Sequence, residues 1–291
     1  MLLRCGDFQF DLSGSLNKGA LVMGIVNVTP DSFSDGGKHL QRDAALVHAR
    51  QLIAEGADML DIGGESTRPG ASPVGAQEEM DRVLPIIEEL RDAAVPISVD
   101  TFKPEVMLAA IAAGAHMVND INALQDAAAM NAVAASNAAV CLMHKQGNPL
   151  TMQEQPVYRN VVAEVSEFLQ ERIAAAEAAG IQRDRIVIDP GFGFGKTLAH
   201  NLALLQRLNE LAALGVPVLA GLSRKSMLGA LTGQDVAQRM PASVAAALIA
   251  VQRGANIVRV HDVHATVDAL KILYAVNTPV QLHVEVTDGE S

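Results

Sequence analysis

Three six-residue stretches of the chain share one pattern: Gly56-Ala-Asp-Met-Leu-Asp61, Gly114-Ala-His-Met-Val-Asn119 and Gly254-Ala-Asn-Ile-Val-Arg259. Each follows an amphipathic run. In each, the glycine can take the left-handed conformation that stops a helix, the apolar pair suits a short buried strand, and a polar residue follows at the same offset. A helix-to-strand join used three times at irregular intervals points to repeated βα units rather than to a solenoid of fixed period.

Short apolar runs that end in polar groups predict eight strands, at 21–26, 59–62, 97–99, 117–118, 140–143, 186–188, 218–220 and 257–260. Helical patterns lie between and after them, at 43–55, 77–93, 104–113, 127–136, 161–179, 201–214, 241–253 and 265–276. Pro104 opens one helix where no N–H is needed, and Gly114, Gly180, Gly215 and Gly254 follow others closely. In the run from Gln77, the residues Met80, Val83, Leu84, Ile87 and Leu90 form an apolar stripe, and Pro85 should kink that helix. Eight strands alternating with eight helices match an α/β fold of the (β/α)8 TIM-barrel type. An open doubly wound sheet uses the same alternation, but eight units in 291 residues favour closure. No linker rich in Pro, Gly or Ser divides the chain, so a single domain is expected over 1–291, with a short N-terminal extension at 1–20 and a polar tail from about 279 to 291.

With 49% hydrophobic residues but only 3% aromatic, the core should be aliphatic, as suits helices packed on a parallel sheet. A net charge of -11 argues against general binding to nucleic acid or to a membrane surface. Cys5 and Cys141 lie far apart without metal-ligand spacing, which suggests neither a disulfide framework nor zinc and makes a reduced, cytoplasmic setting the default. Arg4, Asp7 and Asp11 interrupt the apolar segment that a signal peptide would need, and no later run reaches membrane-spanning length.

In a barrel of this kind chemistry gathers at the carboxyl ends of the strands. Those ends carry Asn27, Asp61, Asp100, Asn119, His144, Asp189, Ser223 with Lys225, and Arg259 with His261. Two carboxylates, Asp100 and Asp189, with the amide of Asn119 suit a flat polar heterocycle that presents N–H donors, and Lys225 supplies the opposite donor. Arg259 and His261, expected across the seam from Asn27, suit a phosphate or pyrophosphate, and Asn27 can offer its oxygen to Mg²⁺. The stretch from Asp189 to Thr197 imitates a P-loop, but Pro190 stands where that motif requires its first glycine. Gly221 to Lys225 lacks the last glycine of a nucleophile elbow, and His261 with His264 lacks a third metal ligand. Lys225 as a Schiff-base nucleophile is a further reading of the same residues. Two polar loops, 27–37 and 63–73, are expected to cover the mouth and exclude water.

The segments NVTPDSFSDGG from Asn27, GGESTRPG from Gly63, SVDT from Ser98, ND at Asn119, DPGFGFGKT from Asp189, SRKS from Ser223 and RVHDV from Arg259 occur together and in order. In these the chain closely resembles the dihydropteroate synthases of folate biosynthesis. The resemblance implies a transferase that joins 6-hydroxymethyl-7,8-dihydropterin diphosphate to p-aminobenzoate, through dissociative loss of pyrophosphate assisted by Mg²⁺. By matching positions, Asp100, Asn119, Asp189 and Lys225 would hold the pterin. Asn27, Thr67, Arg259 and His261 would hold the diphosphate, with Mg²⁺ at Asn27. Phe33, Thr67, Arg68, Pro69 and Ser226 would form the p-aminobenzoate side, and Asp35 would help the first loop close over the leaving group. It also implies a homodimer and a sulfonamide target. A pterin-binding methyltransferase barrel, or a protein that merely binds pterin, would not need the diphosphate set. Lys145 has no role in this reading.

Overall fold

The computed structural model describes residues 1–13, 19–28, 38–65, 73–147 and 156–278, with the backbone alone at 38–40. Strands β1 (Leu2–Cys5) and β2 (Phe8–Asp11) form an antiparallel hairpin. Strands β3 (Leu21–Asn27), β4 (Met59–Gly63), β5 (Ile97–Asp100), β6 (Met117–Asp120), β7 (Ala139–Met143), β8 (Ile186–Asp189), β9 (Leu219–Ala220) and β10 (Ile257–Val260) are all parallel, in the order β8-β7-β6-β5-β4-β3-β10-β9. The two ends of that order meet where Ile188 bridges Val218 and its N–H donates to the Pro217 carbonyl at 2.9 Å. The sheet therefore closes into the predicted TIM barrel.

The repeated join is a Schellman stop in all three places. Gly56, Gly114 and Gly254 have φ of 97°, 114° and 101°, and the alanine after each donates back to Leu52, Ala110 and Ala250. Each stop turns the chain from an outer helix straight into β4, β6 or β10, which sets the register of the residues at the far end of the strand.

Strands buried on both faces explain the continuous apolar runs. Val22, Val26, Leu60, Ile62, Val99, Val118, Val140 and Ile188 face the helices, while Leu21, Met23, Met59, Met117, Cys141, Val187 and Ile257 form a separate cluster inside the barrel. That inner cluster also contains Leu3 and Cys5, so the hairpin plugs the barrel at the amino ends of its strands, opposite the mouth. The extension predicted at 1–20 thus begins as a stopper, and its alternation about the Gly6-Asp7 turn was a readable strand signal. Both cysteines are free and buried.

Helix positions follow the predicted pattern with three differences. The helix expected over 43–55 begins earlier, as Lys38–Ala54. The run expected as one helix over 201–214 is Leu198–Gln206 followed by Leu208–Ala212, because Arg207 leaves helical geometry (φ -114°, ψ 27°) and clasps Glu210 at 2.6 and 2.8 Å. Its start moves forward because Thr197 and His200 make a reciprocal cap. A helix at Ser226–Thr232 has no counterpart in the apolar pattern. Ala76–Leu90 runs on both sides of Pro85 as one helix. The expected polar tail, 279–291, lies outside the described residues.

Replacing Leu3, which is fully buried, with alanine empties part of the plug and should cost about 2–5 kcal/mol, read as a lower urea midpoint. An unchanged midpoint would mean that the hairpin is no part of the core.

Candidate active site

At the mouth, Arg259 from β10 reaches across to two neighbouring strands. Its Nε donates to Asp61 Oδ2 at 2.5 Å and its Nη2 to Asp100 Oδ2 at 2.8 Å. Asp61 Oδ2 also accepts from Nδ2 of Asn119 at 3.0 Å. Asp61 is completely buried, and its Oδ1 has no hydrogen-bond partner among the described residues. Burial opposes the charge of Arg259, but Asp61 and Asp100 outweigh it and hold the guanidinium above its ordinary pKa. Burial pushes the Asp100 carboxyl up to about 7; Arg259 pulls it down, and Asp61 and Glu79 add like-charge repulsion. One planar cation thus balances two carboxylates at the base of the mouth.

Asp189 ends β8, with Oδ1 accepting the Gly191 N–H at 2.7 Å. Burial raises its pKa, opposed by that N–H and by Lys225, Lys196 and Arg259. Lys225 places Nζ 4.2 Å from the centroid of the Phe194 ring, within cation–π range. The loop between them bends through left-handed Gly191 and Gly195; a Cβ on Gly191 would lie 1.9 Å from the His144 carbonyl oxygen, so only glycine lets the two backbones approach. The glycines that imitate a P-loop therefore serve backbone packing beneath Asp189.

Lys225 is held from its other side. Arg224 has φ of 57°, unusual for a residue with a side chain, and is pinned by its pair to Asp262 at 2.6 and 3.1 Å and by its N–H to Ser243 Oγ at 2.9 Å. His261 Nδ1 meets Ser223 Oγ at 3.0 Å, which fixes the ring at the end of β10. Ser226 is exposed and opens the following helix. Asn27 ends β3 with Oδ1 toward Gly63 of β4.

The structure brings Asn119 and Arg259 together on Asp61, with Asp100 on the other arm of Arg259, and joins Asp189 to Lys225 through the loop that bears Phe194. Arg259, expected among the diphosphate groups, is thus bonded directly to Asp100, expected among the pterin groups. Asp61 is the residue whose part went unrecognised. It stood at the same offset of the repeated join as Asn119 and Arg259, and that was the signal. Phe33, Asp35, Thr67, Arg68 and Pro69 lie outside the described residues.

The fold and the mouth define a TIM-barrel enzyme with a fixed, charge-balanced pocket at the carboxyl ends of its strands. Residues 23–261 match the pterin binding enzyme family. The dihydropteroate synthase of Escherichia coli K12 is 51% identical over 255 residues, covering 87% of this chain and 90% of that one. Among solved structures, Xanthomonas albilineans dihydropteroate synthase with 4-aminobenzoic acid superposes with a TM-score of 0.88 at 56% identity, covering 96% of this chain and 99% of the other. Yersinia pestis dihydropteroate synthase with a sulfonamide drug complex gives 0.88 at 49% identity, over 95% and 99%. The chain belongs to the pterin-binding enzymes and, within them, to the dihydropteroate synthases.

His144 follows β7 behind this pocket, and burial, then the charge of Lys196, lowers its pKa from the ordinary 6.5 to about 3. The unfolded chain takes up a proton at this side chain below 6.5 while the folded chain does not, so stability is lost as pH falls from 6.5 toward 3. Between pH 7 and pH 5 the loss should be about 2 kcal/mol larger than in His144→Phe, measured by urea denaturation at each pH. Parallel losses in the two proteins would show that His144 is charged in the fold.

Proposed function

We propose that this mouth condenses 6-hydroxymethyl-7,8-dihydropterin diphosphate with p-aminobenzoate, giving 7,8-dihydropteroate and pyrophosphate. The observation that carries the reading is the Asp61–Arg259–Asp100 bridge with Asn119 attached. A flat pterin edge rich in N–H groups needs fixed acceptors, and Asp100 and Asp189 supply them from neighbouring quarters of the barrel, with Asn119 between and Lys225 as donor. Arg259 and His261, with Asn27 and Thr67, hold the diphosphate. Phe33, Thr67, Arg68, Pro69 and Ser226 form the p-aminobenzoate side, and Asp35 assists over the leaving group.

In the reaction the carbon–oxygen bond to the diphosphate breaks first, and the arylamine nitrogen then forms a bond to the pterin methylene carbon. The bonding pair leaves with pyrophosphate, and the nitrogen then gives up a proton. An arylamine is nucleophilic at neutral pH, so no strong base is required. The work falls on Arg259, whose fixed positive charge meets the charge that develops on the departing oxygens, and on His261, whose ring can hydrogen-bond them. Loss of the leaving group ahead of attack would leave a cation-like pterin, for which a pocket of fixed carboxylates is a fitting surround.

Among the described residues no three His, Cys, Asp or Glu side chains converge as a metal cage. Asn27 offers a single neutral oxygen at the mouth, which fits an ion that keeps waters and shares itself with substrate phosphates, as Mg²⁺ does. Held by Asn27 and the diphosphate, Mg²⁺ would draw charge from the departing oxygens. A homodimer through the later helices would draw on their exposed apolar residues, Leu202, Leu231, Met240, Ile249, Ile272 and Val276. No described helix is long and apolar enough to cross a membrane, in keeping with the cytoplasmic reading.

Pyrophosphate release, followed with a coupled phosphate assay, should need Mg²⁺, the pterin diphosphate and p-aminobenzoate together. Release without the amine, or none with all three, would reject this function. A sulfonamide, a shape mimic of p-aminobenzoate, should raise the apparent KM for p-aminobenzoate without lowering kcat. Inhibition that p-aminobenzoate cannot relieve would place the drug elsewhere.

A further inference from the structure

Behind the pocket sits a buried ammonium that the reaction scheme does not use. Lys196 is 3% exposed. Its Nζ lies 2.9 Å from the Gly191 carbonyl oxygen, 3.0 Å from that of Phe194 and 3.0 Å from His144 Nδ1, with the His144 carbonyl oxygen at 3.3 Å. None of these partners is a carboxylate. An ammonium has three protons, and three close acceptors take them; a neutral amine could not donate to all three. The imidazole is available as an acceptor because it is held neutral, edge-on to Phe168 with 5.0 Å between ring centroids.

Other polar groups of the loop are paired as well. Tyr158 Oη donates to the Gly195 carbonyl at 2.9 Å, Asn201 Oδ1 accepts the Gly193 N–H at 2.7 Å, and Asn201 Nδ2 donates to the Thr197 carbonyl at 2.7 Å. The loop is thus built around Lys196, with Asp189 at its start and Phe194 against Lys225. Burying a cation without an ion-pair partner is costly, whereas an apolar side chain could fill the same volume. The charged or titratable groups that face it are His144 from β7, Asp189 from β8 and Lys225 from the turn after β9. Burial and Lys225 weaken its hold on the proton, bringing its pKa to about 7, and Asp189 opposes them.

We propose that Lys196 is a positioning residue for the pterin half of the reaction: gathered by the Gly191 and Phe194 carbonyls and by His144, it sets the aim of Asp189 and the place of Phe194 beneath Lys225. The inference rests on the reading of Asp189 and Lys225 as pterin-holding groups. It accounts for the lysine of the P-loop imitation, which meets backbone carbonyls rather than a phosphate, and for His144, the strand-end group without a role.

Lys196→Met keeps most of the volume and removes the donors; His144→Phe removes one acceptor and keeps a ring. Affinity for 6-hydroxymethylpterin would be measured by calorimetry, KM for both substrates by turnover, and folding by circular dichroism. Folded Lys196→Met should bind the pterin at least about tenfold more weakly, with the KM for p-aminobenzoate within about threefold of wild type and His144→Phe intermediate. Pterin affinity in Lys196→Met equal to wild type would overturn the proposal, as would a matched rise in both KM values. Should Lys196→Met fail to fold, His144→Phe decides, and unchanged pterin affinity there overturns it equally. Wild-type protein that does not bind the pterin would instead overturn the reading of the mouth.

Discussion

One oxygen atom holds the base of the pocket together. Asp61 Oδ2 accepts from Arg259 and from Asn119, and the other arm of Arg259 reaches Asp100, so four strand ends are tied through a single carboxylate. The three residues that meet at Asp61 Oδ2 are the last residues of the three repeated joins. Each Schellman stop fixes where its strand begins, and an equal number of residues later each strand delivers its polar group to the same height in the barrel. A local rule about ending helices thereby becomes a rule about where charges stand.

That arrangement suits a reaction in which the protein supplies position and charge rather than acid–base power. The carboxylates are placed by strands and neutralised in advance by Arg259, so a ligand meets groups that need little reorganisation. Burying Asp61 and Asp100 without Arg259 would be costly, and Arg259 without them would be an unpaired buried cation. The rest of the barrel makes such a pocket tolerable. The hairpin closes one end with Leu3 and Cys5, and the helices cover the outside.

Most of the fold could be read from the chain because parallel strands covered on both faces leave short, uninterrupted apolar runs, and glycine stops mark their beginnings. The polar residues at the strand ends were readable for the same reason. The N-terminal hairpin was harder, since four-residue strands with a two-residue turn leave little periodicity to count, although Leu3 and Cys5 alternate with Arg4 as a half-buried strand should. The break at Arg207 was invisible to an apolar pattern that continues on both sides of it. Asp61 was visible as a strand end but not as the hub, because a sequence shows which residues reach the mouth and not which of them bind one another.

The stretch from Asp189 to Thr197 shows how the same residue types serve different physics. In a phosphate loop, glycines free backbone N–H groups to surround an anion and the lysine adds charge to it. Here Gly191 and Gly195 bring the loop against the His144 and Gln146 carbonyls, the Gly191 and Gly193 N–H groups go to Asp189 and Asn201, and the lysine is surrounded by carbonyl oxygens. The polarity of the loop is reversed: oxygens close on a cation inside the protein, and the cation is part of the protein. What distinguishes the two in sequence is Pro190, which has no N–H to offer a phosphate and follows a strand-end carboxylate that would repel one. A motif match therefore carries weight only when the N–H groups it presumes are free to point at the ligand, and the residue that decides this can be the one the pattern leaves unnamed.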